Sequence, residues 1–179
     1  MAAPTVVKLL SSDNEEFAFK REHIAKAHML NRMLADLNVD IDNPTQDPVR
    51  LELVSSSTLR TVIAWLDAHQ GEADPTDDEI LKNRHNRRLS NEDHALFDTL
   101  PNRVELASVI NAAYFLEVPG LIEALVRYVT HHLDRKSAEE MANWLEIALA
   151  TAEPRAAPGD DEGVEAKRER VENGSEAEQ

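Results

Sequence analysis

Histidine is the side chain best suited to acid-base or metal chemistry near neutral pH, and this sequence holds seven: His23, His28, His69, His85, His94, His131 and His132. No two have the spacing that stacks two imidazoles on one helical face. His131 and His132 are adjacent, so on a helix they diverge by about 100° and do not readily share an ion. All seven are therefore expected at the surface or its boundary. Carboxylates are abundant, 34 against 19 basic groups, but no spacing singles out an acid and a base, and a solvated face is the plainer reading. The five glycines assemble neither a phosphate-cradling loop nor a dinucleotide fingerprint. No serine occupies a Gly-x-Ser-x-Gly elbow. With no cysteine in the chain, thiolate nucleophiles, disulfides and Cys-based zinc sites are all excluded. The residues argue for a binding protein with no catalytic residue, no metal and no cofactor.

Composition narrows the partners. The formal charge of −15 repels phosphates and anionic headgroups alike, so neither nucleic acid nor a membrane surface is expected. No window approaches the roughly 20 apolar residues a span needs, and the start lacks the features of a signal peptide, so a soluble, intracellular protein is expected. Apolar residues make up 42% of the chain and aromatics only 4%. A core of Leu, Val, Ile and Ala follows, and it leans helical.

The elements that must carry any binding face can be read in order. Val6 to Leu10, the turn residues Ser11 to Asn14, and Glu15 to Phe19 predict a β-hairpin. Two short helices follow at His23 to Ala27 and Leu30 to Leu37, the second burying Leu30, Met33, Leu34 and Leu37. After an acidic, Pro-punctuated loop from Val39 to Pro48, the alternation of Val49 to Leu53 predicts a strand. Leu59, Val62, Ile63 and Leu66 make an amphipathic helix behind the capping serines Ser55 to Ser57. The stretch from Glu72 to Asn91 is expected to be a solvated charged loop, and Asn91 to Phe97 a short helix that docks Leu96 and Phe97. The strongest periodicity comes next. Leu106, Val109, Ile110, Ala113 and Leu116 form one stripe, and Leu121, Leu125, Val129 and Leu133 form another across the break at Glu117-Val118-Pro119-Gly120. Ser137-Ala138-Glu139-Glu140 is a capping box that opens a last helix with Met141, Trp144, Leu145 and Ala148 on its apolar stripe. Helices at 101–117, 119–134 and 137–149 carry more apolar residues than one core-facing stripe needs, which suggests a partner-binding groove.

Several of these segments are also similar to a known family. Lys8-Leu9-Leu10-Ser11-Ser12-Asp13, Asp47-Pro48-Val49, Val62-Ile63-Ala64-Trp65, Ala112-Ala113-Tyr114-Phe115-Leu116 with Gly120-Leu121, and Lys136-Ser137-Ala138-Glu139-Glu140 together resemble the Skp family of adaptors in SCF (Skp, cullin, F-box) ubiquitin ligases. Phe19-Lys20-Arg21-Glu22-His23 also resembles elongin C, a relative that stops before the Lys136-Ser137 segment. The resemblance implies an α+β BTB/POZ fold: a small N-terminal sheet, a helical body and extra C-terminal helices. It implies a BTB/POZ domain over 1–134 with a charged loop at 72–91, an F-box-binding extension over 135–150 and an acidic tail over 151–179. It further implies a non-catalytic bridge between a cullin and F-box proteins, in cytoplasm and nucleus. By position, Tyr114 and Phe115 would sit on the cullin side, and Leu106, Ile110, Ile122, Trp144, Leu145 and Ile147 near the F-box side. The alternative is a self-associating BTB scaffold, a homodimer in isolation that binds no cullin. Three departures mark a divergent member: Tyr114 stands where the family usually has Asn, Asn111 replaces an apolar residue on the same helix, and the acidic end lacks the family's late Trp-Cys.

Overall fold

The computed structural model describes residues 6–37, 47–83 and 88–148. The chain divides into two units, Met1–Ala148 and Leu149–Gln179, and all the described residues lie in the first. Most of the acidic loop before Pro48 and all of the acidic tail lie outside them.

The hairpin forms from β1 (Val6–Leu10) and β2 (Glu16–Lys20), paired antiparallel with Leu9 opposite Phe17 and Val7 opposite Phe19. Its turn closes on Ser11, whose hydroxyl accepts from the Glu15 amide at 3.0 Å. Asn14 takes the left-handed conformation, φ 63°, which a short polar side chain tolerates better than most. The third strand, β3 (Val49–Arg50), runs parallel to β1 and completes a three-stranded sheet ordered β2-β1-β3. Alternation predicted a longer strand here. Leu51 still donates its amide to Leu10 at 2.7 Å, but the chain then turns, leaving Leu53 79% exposed and burying Val54 instead. Period-two patterning ends where that turn begins.

Helices cover one face of the sheet. The short pair is α1 (Arg21–Lys26) and α2 (His28–Asp36), which buries Leu30 and Leu34. Leu37 was expected inside; it lies past the end of α2 and is 57% exposed. The long helix α3 (Ser56–Ala68) buries Leu59, Val62, Trp65 and Leu66. Its start is doubly capped: Ser55 accepts from the Thr58 amide, and the Asp13 carboxylate reaches across from the hairpin turn to the amide of Ser56 at 2.8 Å. The Ser56 and Ser11 hydroxyls hold Asp13 down at about 2.

The charged stretch after α3 was expected to be wholly loop, but it carries a helix, α4 (Asp77–Asn83). Thr76 and Glu79 exchange hydrogen bonds there: the Thr76 amide donates to Glu79 at 2.9 Å and the Glu79 amide donates to the Thr76 hydroxyl at 3.3 Å. This reciprocal pair satisfies orphan donors at the helix start. Then α5 (Asn91–Asp98), capped by Ser90, buries Phe97.

The expected pair of helices is α6 (Arg103–Leu116) and α7 (Pro119–Leu133). Between them Glu117 is left-handed at φ 51° and the Val118 amide returns to Ala113 at 3.0 Å, so Pro119 can open α7 at its first position. The corner is tight because Gly120 lies under Trp65; a Cβ there would meet Trp65 Cη2 at 2.8 Å. Trp65 is fixed in turn by its indole N–H, which donates to Asp93 at 2.8 Å, and by His69 stacked at 4.1 Å. The last helix, α8 (Ala138–Leu145), shows the predicted capping box at Ser137 and Glu140. It ends earlier than expected, because Glu146 turns left-handed and the Ile147 amide closes back on Ala142 at 3.1 Å. Its packing seam is also rotated. Ala142 is its buried residue, and Ala148, outside the helix, is exposed.

Candidate partner-binding faces

The outer faces of α6 and α7 meet in a groove of about 220 Å³ lined by Ile110, Tyr114, Ile122, Leu125, Val126, Val129 and Thr130. Helical geometry explains the set. Ile110 and Tyr114 are one turn apart on α6, while Ile122, Val126 and Thr130 are one turn apart on α7, so each helix contributes a row. Leu125, 2% exposed, is the floor, and Tyr114 and Val126, at 58% and 49%, form the open rim. Large apolar side chains left open at a concave seam mark an interaction site better than scattered exposed leucines do.

A second arrangement lies where α5, α6, α7 and α8 converge. Trp144 meets two flat groups: the Arg103 guanidinium at 4.2 Å from the ring and His132 stacked at 4.8 Å and 18°. Arg103 also donates from Nε to the Trp144 carbonyl at 3.1 Å, and its amide donates to Glu146 at 3.1 Å. Beneath them the Tyr128 hydroxyl donates to Asp98 at 2.8 Å. Burial and that carboxylate push the Tyr128 phenol up, while the same bond, with His94 beside it, holds Asp98 low. The contact stacks α8 on the body through aromatic and cation-π packing.

The structure sorts the sequence-predicted residues into different environments. Ile110 and Ile122 are groove walls, and Tyr114, expected on the opposite partner's side, joins them. Phe115 is half-buried against the core. Leu106 does not reach the surface: at 3% exposed it is part of the hydrophobic core. Trp144 and Leu145 are half-buried, and Ile147 is 59% exposed. Sequence reasoning missed Val126 and Thr130 as binding candidates, although their spacing from Ile122 was available as a signal. It also misplaced His23, which is buried, with Nε2 at 3.1 Å from Asp67 and Nδ1 accepting from the Lys20 amide at 3.4 Å. Lys20 and then His23 hold Asp67 low. This trio ties the hairpin to α3, with no nucleophile in it.

Comparison with known proteins decides the family. Residues 5–71 match the model of the Skp1 family, tetramerisation domain. A Skp1-related protein of Caenorhabditis elegans is 31% identical over 145 residues, spanning 79% of this chain and 80% of that protein. The chain belongs to the Skp1 family. Two further relatives, each called E3 ubiquitin ligase complex SCF subunit sconC, come from Arthroderma benhamiae, at 26% identity over 81% of this chain and 85% of that protein, and from Arthroderma otae, at 25% over 81% and 84%. The Skp1 family match also accounts for the α+β architecture, a small three-stranded sheet under a mostly helical body. No described helix is long and apolar enough to cross a membrane.

Proposed function

We propose that this chain is a non-catalytic adaptor subunit of an SCF-type ubiquitin ligase, bridging a cullin to F-box substrate receptors. The observation that carries the reading is the open aliphatic seam between α6 and α7 in a member of the Skp1 family whose relatives are named as SCF subunits. An F-box helix fits such a groove because an amphipathic helix presents anchors at the same one-turn spacing as the two rows that line it. On this reading Ile110, Ile122 and Val126 receive the helix, Trp144, Leu145 and Ile147 extend the contact along α8, and Leu106 supports α6 from inside. Phe115 belongs to the cullin side, where the resemblance also puts Tyr114, although Tyr114 lines the groove as well. The adaptor accelerates nothing itself. It sets the distance between receptor and ligase and so raises the local concentration of substrate at the ubiquitin-loaded enzyme.

Val126→Asp tests this reading, because a carboxylate on the rim must lose water when an apolar helix covers it, which costs several kcal/mol (~2–7) if no partner compensates. A recombinant F-box domain should bind the full chain by calorimetry and lose at least about a hundredfold in affinity to the variant. Equal affinity for the variant places the F-box elsewhere. A variant that stops forming a homodimer, with no F-box binding in either protein, favours the self-associating scaffold.

A further inference from the structure

The groove between α6 and α7 is aliphatic on both walls apart from two hydroxyls, one on Tyr114 and one on Thr130. We infer that Tyr114 is the specificity-determining residue of this groove: its hydroxyl selects F-box helices that bring a hydrogen-bonding side chain to the rim and discriminates against those that present only aliphatic groups there. The inference rests on the adaptor reading above and deepens it.

Three observations support it. First, Tyr114 shares its wall with Ile110 and faces Ile122 and Val126 across the seam, so a helix lying in the groove must touch its ring. Second, the residue is 58% exposed, and among the described residues its hydroxyl has no partner. The other tyrosine, Tyr128, has its hydroxyl committed to Asp98 at 2.8 Å. Water therefore satisfies the Tyr114 hydroxyl in the free protein. Third, apart from Thr130, which stands on the opposite helix, the rest of the lining is Ile, Leu and Val, and those side chains have no hydrogen bond to offer in exchange. An occupant that covers the rim removes that water. It must either replace the hydrogen bond or leave a polar group buried and unpaired. Aliphatic pockets alone discriminate weakly between helices of similar shape, whereas a polar group that must be satisfied discriminates strongly. The phenol also adds contact area on a side chain with few torsions to freeze, which suits it to a rim position.

The experiment is a double-mutant cycle with the full chain and a recombinant F-box domain. Tyr114→Phe removes only the hydroxyl, and Tyr114 is exposed enough that the fold is unaffected; circular dichroism confirms that. The polar residues of the F-box helix are replaced singly by alanine. The expected result is that Tyr114→Phe weakens the wild-type F-box domain by about tenfold, and that one alanine variant of the F-box cancels this loss, which identifies the partner of the hydroxyl. Tyr114→Phe within about twofold of wild type, with Val126→Asp abolishing binding, overturns the inference and leaves the adaptor reading standing. Indifference to Val126→Asp overturns the reading itself, and the inference with it. A tenfold loss that no F-box substitution cancels also overturns the inference, since the hydroxyl would then act within this chain.

Discussion

Gly120 shows how much a single residue fixes. It sits at the second position of α7 with Trp65 directly above it, and an added Cβ would lie 2.8 Å from Trp65 Cη2. The indole has no freedom to retreat, being 3% exposed, hydrogen-bonded to Asp93 and stacked on His69. Gly120→Ala should therefore destabilise the protein by about 1–3 kcal/mol, the usual cost of overpacking, read as a lower midpoint in urea. An unchanged midpoint would mean that Trp65 can move. Asp13 makes a second residue-scale prediction. The Ser56 and Ser11 hydroxyls lower its carboxyl from 3.8 to about 2. Because the folded value lies below the unfolded one, its stabilisation is complete above about pH 5 and is lost as pH falls through 3.8 toward 2. The melting temperature of Asp13→Asn should thus be lower than wild type at neutral pH, and the difference should shrink between pH 5 and pH 2. A constant difference across that range would remove the carboxylate from the account. Neither residue's role was legible from sequence, because each depends on a partner far along the chain: Asp13 on Ser56, and Gly120 on Trp65. His23 was misread for the same reason, its partner Asp67 lying 44 residues away.

At the scale of elements, local patterns were legible wherever the cause was local. The hairpin, the corner at Pro119 and the capping box of α8 all appear where spacing put them. The capping pattern of α4, Thr76 to Glu79, was equally present in the sequence but was obscured by the charge around it. Depth was not legible. Leu106 and Ile110 share one stripe of α6, yet one is core and the other lines a groove, and only the placement of α3 and α7 beside that stripe separates them. The last helix is the element most open to test. It buries only Ala142 fully and leans on the contacts of Trp144 with Arg103 and His132. Its start depends on Ser137 and Glu140, whose carboxyl is held low by the Ser137 amide and hydroxyl. Ser137→Ala should cost about 0.5–2 kcal/mol of helix stability. Hydrogen exchange should show this as lost protection in α8 while α3 and α6 are unchanged. Loss of protection across the whole molecule would mean that α8 is integral to the core rather than docked on it.

The whole molecule combines a strongly acidic sequence with an open apolar seam. Composition pointed away from nucleic acid and toward protein partners, and the family followed from the short motifs around Ser11, Trp65, Tyr114 and Ser137. The groove itself was only half legible, since periodicity identifies amphipathic rows without telling which two rows will face each other. Tyr114 is the clearest case. Resemblance put it with one partner, and the fold brought it into the same seam as residues allotted to the other. An adaptor must hold both partners at once, and a self-associating scaffold uses the seam on itself. The direct measurement is the mass, by light scattering, of the purified full chain alone, with an F-box domain, and with that domain plus a cullin N-terminal fragment. The account predicts one copy of each protein in a single ternary species, and its loss on Val126→Asp. A homodimer that persists unchanged in the presence of both partners would contradict it.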